Sequence, residues 1–99
     1  MARTSEDSLM DVRIVFRSFG DLGDFLDEGT LLIGSNSFLY DNVEGIEHEV
    51  FFERLGIEND TLTFYGIDSY QARALVSLAL GKFESVIEYV GAARHKEGM

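Results

Sequence analysis

Apolar positions along this chain change period more than once, and the changes mark its elements. Val12, Ile14 and Phe16 alternate with Arg13, Val15 and Arg17, the two-residue period of a half-buried strand. Gly20 breaks that pattern. Leu22, Phe25 and Leu26 then stand at helical spacing with Gly29 behind them as a natural C-cap, which predicts a short helix over 21–28. Two short apolar runs, Thr30 to Ile33 and Phe38 to Tyr40, flank Gly34-Ser35-Asn36-Ser37 and read as a hairpin. Thr61 to Ile67 is the second clear strand, with Leu62 and Phe64 on one face and Asn59-Asp60 supplying the turn before it.

Residues 42–57 carry both periods. As a helix, Asp41 and Glu44 form a capping box, and Val43, Ile46, Val50, Phe51 and Leu55 share a broad face before Gly56. As a strand, Ile46, His48, Val50 and Phe52 share a face between Gly45 and Gly56. The helix would bring Glu47 and Arg54 to the middle of its apolar face and put Gly45 in its first turn. The strand is therefore preferred.

The C-terminal third has the longest single register. Ala72, Val76, Ala79, Phe83, Val86, Val90 and Ala93 follow at spacings of 4, 3, 4, 3, 4 and 3, the period of a helix buried along one seam. Gly81 falls opposite that seam. One helix is predicted over about 69–94, about 40 Å long at the usual rise, with Asp68 as N-cap and Gln71 closing a capping box. The first half of this helix is apolar nearly all round, with Leu78 turned outward, and a helix apolar on all sides is normally buried on all sides. The predicted fold is α+β with two layers: an antiparallel sheet packed by one long C-terminal helix, plus the short helix near 21–28. Residues 1–99 form a single domain, frayed at 1–8 and 95–99.

Charge narrows the partners. Eighteen acids against eight lysines and arginines give a net charge of −10, which repels phosphate backbones and anionic membranes. No apolar run approaches the roughly 18 residues that span a bilayer. Cysteine is absent, so there is no disulfide framework and no thiolate chemistry. With no signal peptide at the start, the expected location is cytoplasmic.

Candidate chemistry is sparse. Asp21, Asp24, Asp27 and Glu28 lack the alternating ligands and central glycine of a calcium loop, and read as the solvated face of the short helix. His48, between Glu47 and Glu49 and four residues after Glu44, has no second histidine for a zinc-protease motif and reads as a solvated or locally paired side chain. Gly20-Asp21-Leu22-Gly23-Asp24 has acids where a phosphate loop needs its lysine and hydroxyl. No catalytic residue, metal site or cofactor is assigned. Aromatics offer more. Phe51 and Phe52 are adjacent, so on a strand one of them points away from the core and can anchor a partner. Phe51, Phe52 and Leu78 are the expected partner-binding residues, on a homodimer or a protein partner.

Asp60-Thr61-Leu62-Thr63-Phe64-Tyr65-Gly66-Ile67-Asp68, running into Ser69 to Val90 with Arg73-Ala74 near the helix start, resembles the small dimerising subunit of the KEOPS tRNA-modification complex over roughly residues 47 to 92. The resemblance implies a small, mixed α/β, non-catalytic subunit that dimerises. The polar Asn-Ser step of that family's helix is replaced here by Val76-Ser77 or Ser77-Leu78. The expected function is a non-enzymatic interaction or accessory-subunit domain. The alternatives are an acidic inhibitor or immunity-type protein masking a basic site on an enzyme, and a small-ligand or metal-binding protein using the carboxylates near His48.

Overall fold

Strand alternation at the start of the chain builds β1 (Leu9–Phe16), with Val12, Ile14 and Phe16 fully buried. This is a computed structural model, and it describes residues 9–42 and 44–95. Ser18 accepts from the Asp21 amide at 3.1 Å and starts α1 (Phe19–Glu28), an N-cap that satisfies one orphan donor of the first turn. Leu22 and Phe25 are its buried face. Gly29 follows with extended backbone, and its lack of a side chain serves packing: a Cβ there would lie 2.3 Å from the Leu39 carbonyl.

The predicted hairpin forms as β2 (Thr30–Leu32) and β3 (Ser37–Asp41), joined through a short 3-10 turn and paired antiparallel. β4 (Glu47–Phe51) adds to β3 and completes a three-stranded sheet in the order β2-β3-β4. The ambiguous stretch is thus a strand over 47–51, entered by a turn in which Asn42 Oδ1 accepts from the amides of Glu44 at 2.8 Å and Ile46 at 3.0 Å. The run does not continue to 57 as one strand. It breaks after Phe51 and resumes as β5 (Arg54–Glu58), which belongs to the other sheet. Asn59, at φ +57°, and Asp60 make the tight turn into β6 (Thr61–Asp68), asparagine being one of the few residues that tolerate that conformation.

The largest correction falls on the predicted long helix. α2 covers Ser69–Lys82, a 3-10 turn follows at Glu84–Val86, and β7 (Ile87–Arg94) returns as a strand. β6 and β7 both run antiparallel to β1 and flank it in the order β5-β6-β1-β7. They are therefore parallel to each other with α2 as the crossover, a split β-α-β unit. A strand beside β1 satisfies a row of backbone groups that a continued helix would leave bare. Local preference agrees: Val86, Ile87, Tyr89 and Val90 are β-branched or aromatic, and Gly91 would cost a helix about 1 kcal/mol. The expected single sheet is two antiparallel sheets, and the fold is α+β with two helices.

Asp68 does cap α2, accepting from the Tyr70 amide at 2.7 Å, but Gln71 does not close a capping box. Its side chain instead reaches β4, donating to the Glu49 carbonyl at 2.8 Å and accepting from the Phe51 amide at 3.2 Å. The buried stripe of α2 is Ala72, Leu75, Leu78 and Ala79, rotated from the expected seam because the helix touches β4 as well as β1, β6 and β7. An aromatic chain ties the two sheets together. Phe25 meets Phe16, Phe38 and Phe83 at centroid distances of 5.4, 5.7 and 4.9 Å, and Phe64 meets Phe38 at 5.8 Å and Phe52 at 5.7 Å.

Of the ends expected to fray, 1–8 and 95–99, residues 1–8 and 96–99 lie outside the described residues, as does Val43. His95 is held: its amide donates to the Leu9 carbonyl at 3.0 Å.

Candidate functional site

Sheet registers determine what the face of the four-stranded sheet turned away from the helices presents. Three rows of neighbours cross it: Glu58-Thr61-Val15-Tyr89, Gly56-Thr63-Arg13-Gly91, and Arg54-Tyr65 beside Asp11-Ala93. The middle row is the informative one. Arg13 is exposed and stands between Thr63 and a glycine, the one long side chain of its row. The tyrosines fold inward over the two glycines. A Cβ on Gly91 would lie 2.3 Å from the Tyr89 hydroxyl, and one on Gly56 would lie 3.0 Å from the Tyr65 ring. Missing side chains thus make room for flat aromatic ones, a known way of covering glycine within a sheet. Arg54 stacks on Tyr65, its guanidinium carbon 3.8 Å from the ring centre, a cation–π contact.

The result is a groove of about 780 Å³ built from β1, β5, β6, β7 and the β5–β6 turn. No helix of the described residues contributes to its lining. Arg13 and Arg54 stand in it without a salt bridge to any described residue, in a chain where acids outnumber lysines and arginines more than twofold. Asp11 closes one end of the groove, and Glu58 and Asp60 the other.

The Asp11 end is anchored by an irregularity. β6 carries an extra residue against β1 between Val12 and Met10, and Gly66 takes φ +70° there. Its amide donates to Asp11 Oδ1 at 2.9 Å. The same carboxylate oxygen lies 2.8 Å from His95 Nδ1, and His95 Nε2 is 3.4 Å from Glu53 Oε1. His95, expected at a fraying helix end, instead locks the end of β7 to the bulge. Bulges of this kind re-aim neighbouring side chains, and here the neighbour is Tyr65.

The sequence-predicted contact residues scatter. Phe51 is 52% exposed on β4, whereas Phe52 is 7% exposed and meets Phe64 in the core. Leu78, expected to face outward, is 4% exposed and belongs to the chain's own core. Beside Phe51 lies a shallower hollow of about 450 Å³ lined by Leu9, Phe52, Tyr70 and Gln71 among others. His48 stacks on Tyr40 at 5.5 Å and is within 3.1 Å of the Asn42 amide nitrogen, a local pairing. Among the described residues no group of three or more His, Cys, Asp and Glu side chains is placed to hold a metal ion. No helix of the described residues is long and apolar enough to cross a membrane.

Sequence reasoning missed Arg13, Arg54, Tyr65 and Tyr89 as a group. Arg13 and Tyr65 were visible on the polar sides of their strands, but Tyr89 joins them only once 87–94 is read as a strand. No family model, no curated protein and no solved structure matches the chain.

Proposed function

We propose that this chain is a non-enzymatic interaction domain that docks a protein partner on the outer face of its four-stranded sheet. The observation that carries this reading is the open groove in which Arg13 rises between Tyr65 and Tyr89 with no acidic partner of its own. An arginine of that kind takes a carboxylate, bidentate where geometry allows. Tyrosines offer broad amphipathic area at low entropic cost, and with arginine they dominate interface energetics. The complementary partner is a protein segment carrying an Asp or Glu flanked by apolar or aromatic side chains. The net charge of −10 argues against nucleic acid on this face despite its arginines. A cytoplasmic setting and the absence of catalysis, metal and cofactor belong to the same proposal.

A displayed random-peptide library selected on the purified protein tests it. The expected outcome is enrichment of peptides pairing an acidic residue with an aromatic or aliphatic neighbour, whose binding falls at least about tenfold on Arg13→Ala, one charged hydrogen-bonded contact being worth about 1.5–3 kcal/mol. Selected peptides that bind Arg13→Ala and Tyr65→Ala as well as the parent would sink the reading.

A further inference from the structure

β7 is an edge strand of eight residues, and among the described residues no strand pairs with its free side. Edge strands are usually blunted by short length, lysine and other charges, proline, β-bulges or a covering helix or loop. This chain blunts β4 in that way, with the Gln71 amide bonded to its backbone. β7 has no lysine and no proline. Its middle, Tyr89-Val90-Gly91-Ala92-Ala93, is uncharged, and Tyr89 to Arg94 keep unbroken register with β1 beyond a bulge at Glu88.

We infer that β7 pairs with β7 of a second copy, antiparallel and centred on Gly91. Two-fold pairing about that residue sets Glu88 opposite Arg94 of the other copy, and Arg94 opposite its Glu88. Neither side chain forms a salt bridge with a described residue of its own chain, and both are exposed. The same register sets Tyr89 opposite Ala93, Val90 opposite Ala92 and glycine opposite glycine, so each large side chain meets a small one. Sliding the centre to Val90 removes both charge pairs. The product is one continuous sheet with four strands from each copy, and the two outer grooves lie side by side across the junction.

Solution mass by light scattering over a dilution series tests it, using the full chain and the variants Glu88→Arg and Arg94→Glu. The parent is expected to dimerise. Each variant alone places like charges opposite each other twice and weakens the dimer at least about tenfold. An equimolar mixture of the two variants restores opposite charges at both positions and recovers a 1:1 dimer near parental affinity. That recovery also shows that both variants are folded. A parent that stays monomeric at every concentration overturns the inference and leaves the edge to a foreign strand. A dimer that neither variant weakens, or variants that fail to associate when mixed, overturns it equally.

Discussion

At the scale of single residues, three positions carry distinct local strains and contacts. Asp11 Oδ1 accepts from Gly66 and pairs with His95, so Asp11→Ala leaves a buried amide without an acceptor. A loss of about 1–3 kcal/mol is expected, read from urea unfolding. Gly66 sits at φ +70° with Glu53 2.7 Å from where a Cβ would lie. Gly66→Ala is expected to cost about 1–2 kcal/mol from the backbone alone and to displace Glu53 from His95. Tyr40 is the third. Its hydroxyl has no hydrogen-bond partner among the described residues, and burial pushes its phenol up from 10.0 to about 12. The unfolded chain thus releases this proton first, so the protection from keeping Tyr40 neutral is intact below pH 10.0 and lost as pH rises towards about 12. Tyr40→Phe should remove that part of the alkaline destabilisation. At pH 7 it should be neutral or stabilising by up to about 1 kcal/mol, since an unpaired buried hydroxyl is replaced by hydrogen. Thermal melts of both proteins at pH 7 and pH 11 check this, and a larger alkaline loss in the variant would contradict it.

At the scale of elements, the chain announced its strands better than its end. β1, the β2–β3 hairpin, α1 and β6 were legible because each carries one unmixed period, and turn residues such as Gly29 and Asn59 bound them, although α1 begins before Gly20 rather than after it. The C-terminal helix was overextended because Phe83, Val86 and Val90 satisfy a helical seam while Ile87, Tyr89 and Gly91 satisfy a strand. What decides between them is β1, which needs a neighbour on its free side, and no local pattern contains that requirement. The same error turned Leu78 outward and hid Tyr89. Leu78→Ala is accordingly expected to cost about 2–5 kcal/mol as a core truncation, measured by chemical denaturation. A loss below about 0.5 kcal/mol would return Leu78 to the surface. Phe51 and Phe52 illustrate the opposite case: Phe51 faces away from the core as expected of one of the pair, although Phe52 lies just past the end of β4.

At the scale of the whole molecule, a chain of net charge −10 brings two arginines into one groove, beside Asp11, Glu58 and Asp60. A partner held by two arginines and two tyrosines should lose only a few-fold in affinity between low and high salt, because aromatic packing is not screened. An acidic inhibitor masking a basic site would lose affinity steeply over the same range. The fold places both the open face and the free edge of β7 on one four-stranded sheet, and that concentration of unpartnered surface is the reason to read the chain as an interaction domain. Amide-resolved NMR of the isotope-labelled protein, titrated with a peptide from the selection, measures this most directly. Shift changes confined to Arg13, Thr63, Tyr65, Tyr89, Gly91 and their neighbours on the outer face are the predicted result. Changes centred on α2, or on the β3–β4 hairpin around His48, would contradict it.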